Sequence, residues 1–129
     1  MNRRKKGSDP FFAFLADLVL LLLCWPARAE PVAQVLETPG FTVKIEARCA
    51  EGEVTCGDVR YEALDKASGR TLRLRGRTHH SLCADGVTPC RFLGYVFRRG
   101  AVTHFVGEDG RLEMRKGERI LREEKGAWQ

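Results

Sequence analysis

Cys49-Ala50-Glu51-Gly52-Glu53-Val54-Thr55-Cys56 and Cys83-Ala84-Asp85-Gly86-Val87-Thr88-Pro89-Cys90 are one motif written twice. Each is a Cys-Ala-acid-Gly loop closed by a second Cys, and a Tyr follows each at the same offset, Tyr61 and Tyr95. Six residues separate the two Cys of each copy, enough to turn a hairpin and bring the sulfurs together while flanking strands hold the Cα atoms near bonding distance. Four Cys allow three connectivities, and the spacing favours Cys49 with Cys56 and Cys83 with Cys90. In the chain-entropy model each short closure is worth roughly 2 to 3 kcal/mol, which matters to a domain of about a hundred residues with a thin core.

The copies, 49–61 and 83–95, are related by a shift of 34 positions that also carries Gly52 onto Gly86. Two strand, Cys loop and strand units predict a pseudo-twofold meander. They do not predict a solenoid, which needs at least three stacked repeats.

Strands are expected on both sides of the motif. Thr38-Pro39-Gly40 is a turn, and Phe41 to Arg48 alternates apolar and polar over its whole length, the signature of a half-buried strand. Val59, Tyr61 and Ala63 alternate with Asp58, Arg60 and Glu62 to give a second strand, and Thr71 to Arg77 gives a third after the turn at Asp65 to Gly69. Between Phe92 and Phe97 apolar groups fall on both faces, broken by Gly94, as expected of the most buried strand or of one that bends across two layers. Arg98-Arg99-Gly100, Glu108-Asp109-Gly110 and Lys116-Gly117 read as turns that continue the meander through Val102 to Val106 and Leu112 to Arg115. The segment Glu118 to Lys125 tolerates a helix on propensity; the turns before it favour a strand. The fold class expected is all-β, a small antiparallel meander closing into a barrel or sandwich of six to eight short strands, with two disulfide-stapled loops.

The N-terminus reads differently. A basic cluster, Arg3 to Lys6, precedes an apolar run from Phe11 to Trp25, and Ala27-Arg28-Ala29 supplies the small residues of a cleavage site. The run is about fifteen residues where a spanning helix needs roughly twenty, and Asp17 interrupts it, which favours cleavage over the rival reading of an uncleaved membrane anchor. Cys24 follows Leu23 where a lipid-modification site places a small residue. The expected organisation is a signal peptide at 1–29, an N-terminal lead-in at 30–40 and a single disulfide-bonded β domain at 41–129, with no membrane span after cleavage and a periplasmic or secreted location. Cleavage reduces five Cys to four, an even set that suits an oxidising compartment.

The formal charge of +5 is partly an N-terminal effect. Beyond residue 30 there remain 17 basic and 14 acidic groups, a net of +3, which describes an ordinary mixed surface and argues against nucleic acid as a partner. His79, His80 and His104 are the only histidines, and no Ser or free Cys stands in the context of an activated nucleophile. The Cys spacing is wider than that of zinc sites. One carboxylate per loop, Glu51 or Asp85, is far short of the six to eight oxygens of a calcium site; its expected role is to accept backbone N–H bonds and fix the turn. No cofactor, no metal and no enzymatic activity are expected.

Arg73, Arg75 and Arg77 alternate along the third strand, so their guanidiniums emerge on one face at intervals of about 6.5 to 7 Å, and His79 extends the row. Such a row meets carboxylates or phosphates on a partner, or else is neutralised by Glu and Asp on neighbouring strands. Ala67-Ser68-Gly69-Arg70 resembles the Ser-Gly loop of some envelope lysozyme inhibitors; the resemblance covers four residues, the Cys placement differs, and it assigns no family. The function expected is a non-enzymatic binding or inhibitor module of a bacterial-type envelope, its partner an extracytoplasmic protein. The alternative is a structural protein that binds peptidoglycan or another anionic envelope polymer through the arginine face.

Overall fold

The structure, a computed structural model, describes residues 33–129. The expected signal peptide lies outside the described residues.

Among the described residues nine strands form one antiparallel sheet: β1 Ala33–Glu37, β2 Phe41–Ala47, β3 Val59–Asp65, β4 Thr71–Leu82, β5 Pro89–Arg99, β6 Val102–Gly107, β7 Arg111–Lys116, β8 Arg119–Lys125 and β9 Ala127–Trp128. Strands β1 to β8 lie side by side in chain order, and β9 pairs with the far edge of β1. Only Gly126 separates β8 from β9, so the last stretch of chain pairs with β7 on one side and β1 on the other, and the meander becomes a nearly closed barrel. Among the described residues no helix is long and apolar enough to cross a membrane.

The strand count exceeds the six to eight expected because the stretch read as a lead-in supplies β1, and the last residues supply the two-residue β9. Leu36 on β1 is fully buried and sits opposite Val43 of β2. The third strand is longer than its alternation indicated: β4 runs on from Arg77 to Leu82, with bulges against β5 around His80. Strand β8 replaces the helix that propensity alone allows.

Period-two alternation fixes the inside. Phe41, Val43 and Ile45 on β2 and Val59, Tyr61 and Ala63 on β3 all face the core. The rings of Tyr61 and Phe97 meet at 4.7 Å, so the strand expected to hold the centre of the core shares it with β3. Gly76 lies opposite Phe97, and a Cβ there would run into that ring and the Val96 carbonyl. Deep in this core the Tyr61 hydroxyl and His104 Nδ1 share a hydrogen bond of 3.3 Å. Burial pushes the phenol above its ordinary range; burial first, and the Arg99 guanidinium second, hold the His104 imidazole below its ordinary value. The pair is therefore neutral at pH 7, as a low-dielectric interior favours.

Candidate functional site

Both Cys pairs are bonded as the spacing indicated. Cys49 and Cys56 have Cα atoms 5.7 Å apart, Cys83 and Cys90 5.2 Å. Two disulfides of this kind fit an oxidising, extracytoplasmic environment. The loops they staple join β2 to β3 and β4 to β5. In an up-and-down meander alternate connections share one end, so both loops stand on the same rim of the barrel. Each turns on a glycine in the left-handed region, Gly52 at φ 94° and Gly86 at φ 75°, a conformation that favours Gly.

The acidic residues of the two loops differ. Asp85 accepts N–H bonds from Val87 and Thr88, each at 2.9 Å, and a hydrogen bond from the Thr88 hydroxyl. The Thr88 hydroxyl first, then the two N–H groups, hold its carboxyl down at about 2. Glu51 makes no comparable bond, so the expected turn-fixing role belongs to one copy of the motif. The first loop is instead tied to β4: Cys56 N–H donates to the Thr78 hydroxyl at 2.9 Å and Thr78 N–H to the Cys56 carbonyl at 2.9 Å. The loops present Val54 and Val87, 71% and 79% exposed.

Arg73, Arg75, Arg77 and His79 all point outward from β4 and are exposed. Their surroundings separate them. Register sets Arg73 opposite Glu62 of β3, and the two pair at 3.3 Å. Arg75 lies opposite Arg60, whose own guanidinium is taken by Asp58 at 3.2 Å. Directly opposed like charges on neighbouring strands are unfavourable without a counter-charge. His79 leaves the row for an aromatic contact, meeting Phe105 edge-on at 6.0 Å across Gly94, its partner on β5.

Arg75 and Arg77 share an open depression with Arg98 of β5, floored by Gly57, Gly76 and Val96. Among the described residues none of these three arginines has a carboxylate within 4 Å. Towards β2 the same face is balanced, with Arg48 on Glu46 at 3.1 Å. Towards β7 it is balanced too, Glu113 lying beneath Arg111 and Arg115. Among the described residues, Arg75, Arg77 and Arg98 thus form a group of unpaired guanidiniums in the middle of this face, on β4 and β5.

Arg98 escapes a reading that takes Arg98-Arg99-Gly100 as a turn. The alternation that sends Tyr95 and Phe97 inward continues through it and sends Val96 and Arg98 outward, and β5 ends only at Arg99. Among the described residues no group of three or more His, Cys, Asp or Glu side chains is placed to hold a metal ion. No protein-family model matches this chain, nor does any curated protein or solved structure.

Proposed function

We propose that the chain is a non-enzymatic binding module of a bacterial-type cell envelope, periplasmic or secreted, that captures an anionic partner on the outer face of β4 and β5. The observation that carries this reading is the convergence of Arg75, Arg77 and Arg98 on one depression with, among the described residues, no carboxylate within 4 Å of them. Guanidiniums spaced along a strand present forked donors at a fixed repeat, which suits the carboxylates of an acidic protein surface or the carboxylate and phosphate groups of an envelope polymer. A rigid sheet holds them at no ordering cost to the backbone, and the attraction is screened by salt.

The test is sedimentation of the oxidised protein with purified cell wall, followed across a salt series. Binding is expected to weaken steeply with salt and to be lost in Arg75→Glu/Arg77→Glu. Arg111→Glu, which reverses a charge already engaged by Glu113, is expected to change it little. Salt-independent binding, or equal loss in both variants, refutes the arginine site.

The exposed valines support a second reading, a protein-inhibiting rim. Val54 and Val87 are small apolar tips on two loops held rigid at their bases, and preorganised loops lose little entropy on docking. In that case Val54→Asp/Val87→Asp destroys capture of a protein partner and Arg75→Glu/Arg77→Glu does not.

A further inference from the structure

At the rim opposite the stapled loops the barrel interior is open. A cavity of about 480 Å³ enters between the β3–β4 turn, the end of β5 and the middle of β8, within the usual size for small-molecule sites. Its wall is apolar on the core side, where Phe41, Ala63, Leu72 and Met114 line it together with Tyr61. The polar groups at depth, the Tyr61 hydroxyl and His104 Nδ1, are hydrogen-bonded to each other. A guest meets apolar side chains and the second ring nitrogen of His104 there, and apolar surface that enters is removed from water.

The mouth has the opposite character. Arg70, Arg99 and Arg122 stand around it. Arg122 is committed, stacked 4.5 Å from the Phe41 ring and paired with Glu124 at 2.7 Å. Arg70 and Arg99 are exposed and, among the described residues, have no carboxylate within 4 Å. The acidic group at the mouth, Asp65, turns back to accept the Ala67 N–H at 3.0 Å. Arg99 and His104 line the same cavity, and burial first and the Arg99 guanidinium second disfavour protonation of the imidazole.

We infer that this cavity is a binding site for a small amphipathic monocarboxylate, its alkyl chain among Phe41, Ala63, Leu72 and Met114 and its carboxylate between Arg70 and Arg99. Barrels of about eight strands have an interior wide enough for one small ligand. The division of the lining into a mainly apolar floor and a mouth with two guanidiniums unpaired among the described residues specifies the ligand's two ends. The site is separate from the arginine face of β4 and β5.

The test uses octanoate, with 1-octanol as a chain-matched neutral probe, followed by NMR through the imidazole signals of the three histidines in the oxidised protein. Octanoate is expected to move the His104 signals saturably and to bind at least tenfold more tightly than 1-octanol. Arg70→Glu/Arg99→Glu, two exposed positions, is expected to lower octanoate affinity at least tenfold while leaving 1-octanol unchanged. Arg75→Glu/Arg77→Glu makes the same change in net charge elsewhere and is expected to leave octanoate binding intact. Unmoved His104 signals, equal affinity for the two probes, or equal loss in the two double variants each overturns the site.

Discussion

His80 lies on the inward face of β4, edge-on to Phe92 at 5.5 Å, and neither of its ring nitrogens has a hydrogen-bond partner among the described residues. An unsatisfied buried donor or acceptor costs about 1 to 3 kcal/mol. His80→Phe keeps the edge-on ring contact and removes both polar atoms. It is expected to raise the unfolding free energy by about 1 kcal/mol, read as a higher urea midpoint at unchanged m-value; a lower midpoint would show that the imidazole has a partner to lose. The same scale marks how far single residues can be read from sequence. Alternation through Thr71 to Arg77 is local, and it correctly turns Arg73, Arg75 and Arg77 to the outer face. Which of them keeps an open charge depends on what β3 and β5 set beside each one, Glu62 by Arg73, Arg60 by Arg75, Arg98 by Arg75 and Arg77. Those neighbours are set by strand register, which no single strand's pattern contains. The two loop acids make the same point, since Asp85 caps its turn only because Thr88 lies three residues on, and the first copy has Val54 at the matching position.

The two stapled hairpins differ as elements although their sequences match. In the second, the ladder closes above the disulfide with Cys83 N–H on the Thr88 carbonyl at 2.8 Å, and Asp85 holds the tip. In the first, Cys56 is itself core, 7% exposed, and bonded to Thr78 of β4. Cys83→Ala/Cys90→Ala is expected to cost about 2 to 3 kcal/mol, the closure entropy alone. Cys49→Ala/Cys56→Ala is expected to cost more, by at least about 1 kcal/mol, because it also removes buried sulfur from the core. Urea denaturation of both variants beside the oxidised parent measures the difference, and equal costs would place Cys56 outside the cooperative core. The hairpins were legible because each carries its turn glycine, its Cys pair and its alternation within a few residues. Strand β1 was not, because Val32-Ala33-Gln34-Val35-Leu36 has no clean alternation; its place in the sheet comes from β2 on one side and β9 on the other.

Closure of the barrel is a property of the whole molecule, and it is achieved at a polar seam. Gly126 passes so close to β1 that any Cβ would strike the Glu37 carbonyl, while its N–H donates to the Gly110 carbonyl at 2.9 Å. Just before it, Glu124 of β8 accepts the Thr38 hydroxyl and the Gly40 N–H, both at 2.8 Å, and pairs with Arg122. The inward side chains of the closing strand are thus charged, which is why Arg122-Glu123-Glu124-Lys125 shows no apolar alternation and why the sequence leaves barrel and sandwich both open. Burial acts to raise the Glu124 pKa, but the bonds from Gly40, Thr38 and Arg122 together outweigh it and hold the carboxyl below its ordinary value of 4.5. A carboxyl depressed in the folded state adds stability that is complete above the unfolded-state value and is lost as pH falls through the folded value. Glu124→Gln retains a neutral acceptor for Gly40 and loses the charge. At pH 7 it is expected to cost about 1 kcal/mol, the difference between a charged and a neutral hydrogen-bond acceptor. The gap between parent and variant should persist from pH 7 down to about 4.5 and close below it, while the contribution of Asp85, depressed to about 2, is common to both and cancels. Urea midpoints of the two proteins between pH 7 and pH 2.5 read this directly, and a gap that widened as the pH fell would mean that the seam is held by something other than the ionised carboxylate.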